Sequence, residues 1–262
     1  MSNLLTKTLW DGRRALAGFT AGTALLAAMY AGFYPQVADG AMGQTVQGFS
    51  PALREALRME DLSSAAGYLG SSVFGIIVPL VAVIFGITTG TRAIAGDEEA
   101  GYLGLFLAHP ISRTRLLLHR FAALTAGAIL IAAVVLLAML AVRPGAQLDS
   151  ITVGQFTAQS LALALLIIIF GTIAITVGAA TGSRAAALAA AAGIAVLTYA
   201  ASTLATHIGA DVLRYVSPFH YYIGGEPLRN GFQWADLTIL TATTAVLLTV
   251  AVAAFNRRDL TS

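Results

Sequence analysis

"FAALTAGAILIAAVVLLAMLAV", residues 121–142, decides the class of this protein. It contains no charged residue, and Arg120 and Arg143 bracket it. About 20 consecutive apolar residues cross a bilayer core of ~30 Å as an α-helix. Hydrocarbon offers no partner to an unpaired N–H or C=O, so the segment must satisfy its own backbone. The same reading applies to residues 15–34, 68–89, 156–180, 185–206 and 237–255, giving six predicted spans. None alternates with the period of two that a barrel strand needs. The predicted fold class is therefore an all-α integral membrane protein with a single domain over residues 1–262. Composition agrees: 57% of the residues are hydrophobic and 11% charged, against about 25% charged in a soluble domain. Mean hydropathy is +0.79. There is no cysteine, which excludes disulfide and thiolate chemistry. The N-terminal apolar run reaches spanning length before any small-residue cleavage site, so it reads as a span and not as a signal peptide.

The basic residues set the expected orientation. Lys7, Arg13, Arg14, Arg92, Arg113, Arg115, Arg120, Arg184, Arg257 and Arg258 fall on one side, ten in all; Arg54, Arg58, Arg143, Arg214 and Arg229 fall on the other. Cytoplasmic loops carry the excess of Lys and Arg, so the ten are expected inside. Six spans then place both termini in the cytoplasm.

The densest charge lies in one connection, "GDEEAGYLGLFLAHPISRTRLLLHRF", residues 96–121. Asp97, Glu98 and Glu99 are expected in the first turn of a short helix, where negative charge suits the helix dipole. Leu103, Phe106 and Leu107 then share one face. Pro110 ends that helix, and His109 before it is biased toward extended backbone. Ser112 is the expected N-cap of the third span, with Arg113 and Arg115 at the level of lipid phosphates. A solvated loop with a basic anchor accounts for the arginines. It leaves the acids and the apolar face unexplained, because acids gain nothing from anionic headgroups and an exposed apolar patch requires a partner. Docking of another protein accounts for both.

Two connections face the other side. In "SPALREALRMEDLSSA", residues 50–65, Ser50 and Pro51 can open a short helix with Leu53, Leu57 and Met59 toward the membrane. Residues 209–235 are rich in Tyr, Phe and Trp. They read either as an interfacial aromatic belt or as broken helices dipping back into the bilayer edge.

Several chemistries are excluded. A phosphate-binding loop needs Gly-Lys-Ser/Thr, and the only lysine, Lys7, follows Thr6. His109, His119, His207 and His220 have no ligand spacing, so no metal site is expected. No predicted span carries an acid or base near its middle, which disfavours a proton- or ion-coupled secondary transporter. Gly18 and Gly22, Gly86 and Gly90, and Gly178 and Gly182 have the spacing of close helix packing. Pro79 in the second span removes a helix hydrogen bond and is expected to kink it.

The stretch Glu98 to Phe121 resembles the signature of ABC-2 type permeases, the membrane subunits of one group of ATP-binding cassette transporters. Glu98 or Glu99, Gly101, Leu103, Leu107, Pro110, Ile111, Ser112, Arg113 and Arg120 carry the match, and Tyr102 departs from the usual Thr. "SPFHYYIGGEPLRNGF", residues 217–232, is similar to the family's outer segment before the last span.

The resemblance implies a type V exporter-like permease with no catalytic residue and no cofactor or metal of its own. ATP and Mg would bind to separate ATPase subunits. Residues 91–120 would be the coupling loop, with Asp97, Glu98, Glu99, Gly101, Tyr102, Leu103, Phe106, Leu107, His109 and Pro110 seated against the ATPase. Thr181, Gly182, Ser183 and Arg184 would make a second coupling contact. Ser217, Pro218, Phe219, His220 and Pro227 would form the outer segment. Residues 3–14 would be an interfacial helix, with Leu4, Leu5, Leu9 and Trp10 in lipid and Lys7, Asp11 and Arg14 in water. A second permease, identical or a sister, would complete the pathway, surrounded by membrane lipids and with no nucleic acid. The expected setting is a bacterial plasma membrane and the expected cargo hydrophobic or amphipathic. The alternatives are a membrane-embedded maturation factor or a secondary transporter not driven by ATP.

Overall fold

The computed structural model describes residues 10, 12–39, 48, 61–101, 112–204 and 211–258. Among these residues no strand occurs. The long helices are α1 (Arg13–Ala38), α2 (Ala65–Glu99), α3 (Arg113–Val142) and α4 (Val153–Thr181), followed by α5 (Arg184–Leu204). A 3-10 turn (Asp211–Val216), the short α6 (Pro218–Ile223) and α7 (Pro227–Asn230) precede α8 (Trp234–Arg257). Six of these helices are long and apolar enough to cross a membrane: α1 to α5 and α8. Much of the predicted coupling loop, the predicted helix after Pro51 and most of the predicted interfacial helix lie outside the described residues. Trp10 is described; it is exposed, with the Arg13 guanidinium over its ring.

The helices outrun the spans expected from hydropathy, because capping groups and paired charges let them continue past the hydrocarbon. Ser112 caps α3 as expected, accepting from the Arg115 N–H at 3.3 Å. The helix therefore starts at Arg113, well before Phe121. α4 begins at Val153 behind a capping box: the Gln155 N–H donates to Thr152 Oγ1 and the Thr152 N–H donates to Gln155 Oε1. Each partner satisfies a donor that the first helical turn would leave free.

The bundle is built around α4. Most of its apolar residues are buried, Leu163, Ile167, Phe170 and Ala174 among them. α2, α3, α5 and α8 pack around it. An all-round apolar helix of this kind belongs in the centre of a bundle.

α2 meets α4 most closely, and glycine allows it. A Cβ on Gly86 would stand 2.5 Å from the Ile167 carbonyl oxygen, and one on Gly90 would collide with the Gly171 carbonyl. Small residues let membrane helices approach until backbones touch. Gly18 and Gly22 share the same spacing, yet a Cβ on either meets nothing within 4 Å. Of these two pairs the α2 pair is the packing device among the described residues.

α2 also changes its winding. Residues Leu69–Ile77 and Arg92–Gly96 are π-helical, on either side of α-helical Val78–Thr91. Pro79 stands just after the first wide segment, in the opening turn of the α-helical one. Its ring would crowd the carbonyl four residues earlier in a regular α-helix. The wider turn avoids that contact, so the expected local kink takes the form of a change of pitch.

Replacing Gly90 with Ala forces apart two backbones at the centre of the bundle. Overpacking of this kind costs about 1–3 kcal/mol or more. The melting temperature of purified Gly90→Ala should fall by several degrees, while Gly22→Ala should be neutral or stabilising; equal behaviour of the two would refute the assignment.

Candidate functional site: an ionic cluster at one end and a pocket at the other

One end of the bundle collects the ends of α2, α3 and α8 and the link between α4 and α5. Asp97, Glu98 and Glu99 form the last turn of α2. The expectation that they open a new helix is corrected here. At this terminus the dipole of α2 disfavours them, and three contacts from elsewhere in the chain offset that. Arg120 of α3 donates to Asp97. Arg258, at the end of α8, donates to Glu98. Glu99 accepts the Arg184 backbone N–H at 2.7 Å, which is the first turn of α5. Glu99 thus does sit at a helix N-terminus, but that of a helix 85 residues on.

The residues around these acids fit the cluster. Gly101 has a φ of +74°, and its N–H donates to the Glu98 carbonyl at 2.9 Å, so it closes α2 in the left-handed conformation that glycine adopts freely. Gly182 closes α4 in the same way, at φ +70°. A Cβ there would also strike the Arg258 guanidinium and the Glu98 carboxylate, so two constraints require glycine at one position. The hydroxyl of Thr181 donates back to the Val177 carbonyl at 2.8 Å, and Ser183 accepts from the Ala186 N–H at 3.2 Å.

Arg113 is not aimed at lipid phosphate as expected. Its guanidinium donates to the carbonyls of Phe255 at 3.1 Å and Arg258 at 2.6 Å, which are among the orphan acceptors at the end of α8. Arg115 is exposed.

The structure therefore brings the two sequence-predicted coupling segments into contact through Glu99 and Arg184. Tyr102, Leu103, Phe106, Leu107, His109 and Pro110 lie outside the described residues. Arg258 and Arg113 were missed as partners from the sequence. The available signal was three adjacent acids on a basic side, which require cations to hold them.

At the opposite end, residues 211–230 form broken helices that fold back onto α4 and α5. Ser217 is fully buried and caps α6: its Oγ accepts from the Phe219 N–H at 3.2 Å and donates to the Thr198 carbonyl at 2.7 Å. Pro218 opens the helix. Phe219 meets the Phe170 ring at a tilt and the Tyr199 ring edge-on, and His220 contacts the rings of Tyr215 and Tyr221. Pro227 opens α7 and is buried.

Arg229 then reaches back to the start of α2. It pairs with Asp61, and with Glu226 at 3.5 Å. Its carbonyl accepts from Gln155 Nε2 at 2.6 Å. The Ser64 hydroxyl first, then Ser63 and the Arg229 charge, hold the Asp61 carboxyl below its ordinary pKa against partial burial. A depressed carboxylate contributes stability at neutral pH and loses it as the pH falls through its native pKa. This clasp therefore loosens only in strong acid.

The profile of the family described as ABC-2 family transporter protein matches residues 3–260. No individual curated protein matches the chain.

Glu98 and Arg258 are mostly buried, with side-chain exposures of 16% and 17%. Removing one partner of a buried pair costs about 3–5 kcal/mol. Arg258→Ala and Glu98→Ala should each lower the melting temperature of the purified protein clearly, and the swap Glu98→Arg with Arg258→Glu should restore part of the loss. A swap no better than the sum of its single changes would show that the pair is not a coupled unit.

Proposed function

Because the chain belongs to the ABC-2 transporter family, a family of multi-pass membrane transport components, we propose that it is an exporter permease driven by separate ATPase subunits. The ATPases bind ATP and Mg and dock on the loop of residues 91–120, with a smaller contact at Thr181 to Arg184. Both termini and the ionic cluster face the cytoplasm of a bacterial cell. The acids hold the base of the loop, and Leu103, Phe106 and Leu107 present its apolar face to the ATPase.

The observation that carries this reading is the ionic cluster. It ties the end of α2 to α3, to the start of α5 and to the end of α8. Force applied to one loop is thereby delivered to four helices together. The π-helical turn at Arg92–Gly96 lies between the cluster and the regular part of α2. Such turns are rare and frequent at functional sites.

Two features support the rest of the proposal. An apolar cavity of about 260 Å³ opens between α2 and α5, lined by Pro79, Leu80, Val83, Val196, Tyr199 and Phe219. It suits a hydrophobic or amphipathic cargo. α5 exposes Ala185, Ala189 and Gly193 at four-residue spacing, the pattern by which membrane helices associate. A second permease, identical or a sister, packs on this face and completes the pathway.

Two experiments test the reading. Leu103→Asp with Leu107→Asp should abolish stimulation of the co-expressed ATPase while leaving the melting temperature of the permease unchanged; retained stimulation would rule out docking at this loop. The absence of native cysteine makes Gly193→Cys a clean reporter. In a homodimer it should cross-link in membranes, whereas Cys placed at the lipid-exposed Leu25 should not; the reverse pattern would remove α5 from the interface.

A further inference from the structure

The first wide segment of α2, Leu69–Ile77, is nine residues long. Winding of this kind is rare and occurs mostly as single turns, so a stretch of this length needs something to hold it. Its bonds run over five residues: the Val78 N–H donates to the Val73 carbonyl. Gly75 suits that register, because a Cβ there would stand 2.6 Å from the Gly70 carbonyl oxygen, five residues back. Pro79 follows. It has no N–H, so it can donate neither to Phe74 in the wide register nor to Gly75 in the α-helical one. Its ring also crowds the Gly75 carbonyl in a regular α-helix and drives it outward.

Another helix supplies a donor at that point. The Tyr199 hydroxyl of α5 donates to the Gly75 carbonyl at 3.3 Å. This is longer than the ~2.7–2.8 Å common for O–H···O bonds, so the contact is weak enough to break and remake. The preceding residue, Thr198, accepts the Ser217 hydroxyl that caps α6, at 2.7 Å. Phe219 of α6 meets the Tyr199 ring with centroids 5.2 Å apart. Two consecutive residues of α5 therefore hold α6 on one side and the break in α2 on the other.

The same tyrosine faces the apolar cavity between α2 and α5. Among the described residues lining it, Tyr199 alone carries a polar side chain. Phenylalanine would keep the ring contact and the apolar wall. The hydroxyl is the feature that packing leaves unexplained.

We propose that Tyr199 is a positioning residue whose hydroxyl takes the place of the N–H that Pro79 lacks, and that this latch sets the winding of α2 and the cavity wall at Pro79, Leu80 and Val83. With the bond made, the wide turn is held and α2 is tied to α5 and α6. With it broken, α2 rewinds from Gly75 and carries that wall with it. The latch stands independently of the ATP-driven reading, because its test needs only the purified chain.

Hydrogen exchange followed by mass spectrometry, on the chain in nanodiscs, tests it. Tyr199→Phe should speed exchange of the amides of residues 69–80 about two- to tenfold, the range expected for one net hydrogen bond. The second wide segment, Arg92–Gly96, should keep its rate. Tyr221→Phe removes a hydroxyl that donates to the Tyr215 carbonyl at 2.8 Å, and it should change neither segment. Pro79→Ala restores an N–H at residue 79, and in that background Tyr199→Phe should no longer accelerate residues 69–80. A tyrosine that merely packs would give the same acceleration in both backgrounds. The proposal is overturned by that equal response, by unchanged exchange of residues 69–80 in Tyr199→Phe, by equal acceleration of Arg92–Gly96, or by a matching effect of Tyr221→Phe. If Pro79→Ala does not fold, the contrast between the two tyrosine variants still decides.

Discussion

Glu98 and Arg258 are separated by 160 residues of chain, and their ion pair sits where α2, α8 and the α4–α5 link converge. A charge in or beside hydrocarbon is costly unless paired, so a chain this apolar must place its few charges at the ends of its spans and give each a partner there. The acids close α2 against its own dipole and are held by Arg120, Arg258 and the first N–H of α5. Gly182 exists to let the α4–α5 link pass beside that pair without collision. Arg113 satisfies the last carbonyls of α8 at the same place. Removing either partner would leave the other as a buried charge without its counter-ion.

From that end the constraint runs up α2. The helix is pinned below by its acids and crosses α4 with backbone contact at Gly86 and Gly90. Between and beyond these fixed points its winding departs twice from the α-helix. A rigid helix would transmit displacement as translation. A helix with two wide turns, one at Arg92–Gly96 and one before Pro79, can also take up rotation. The apolar cavity beside Pro79 and Leu80 adjoins the upper wide turn, so a change of pitch there would reshape its wall.

The spans were legible in the sequence because hydropathy is local: twenty apolar residues need no knowledge of the rest of the chain. The cap at Ser112 obeys an equally local rule, and the cap at Ser217 and the Thr152–Gln155 box follow the same chemistry. Partners were not legible. Three adjacent acids are expected at a helix N-terminus, where the dipole favours negative charge. For Glu99 the physics was right and the helix wrong, since its N-terminus is that of α5. Gly18 with Gly22 and Gly86 with Gly90 read alike in sequence; only the neighbour across the gap separates an open face from a backbone crossing. Arg113 and Arg115 likewise look equivalent, and tertiary structure turns one inward and leaves the other exposed.

The two ends of the bundle treat polarity differently, and the difference has a physical basis. At the basic end each of the three acids has a partner donated from another part of the chain. That arrangement resists opening and suits a surface that must move as a unit. At the opposite end Arg229 is shared between Asp61 and Glu226, and the buried amide of Gln159 stands beside the Tyr222 hydroxyl. Gln159 interrupts a helix that otherwise buries aliphatic side chains, as at Leu163, Leu166 and Ile167. The buried Tyr222 hydroxyl belongs to α6, so the polarity of residue 159 has a polar neighbour in the fold itself and marks where α6 folds back onto α4.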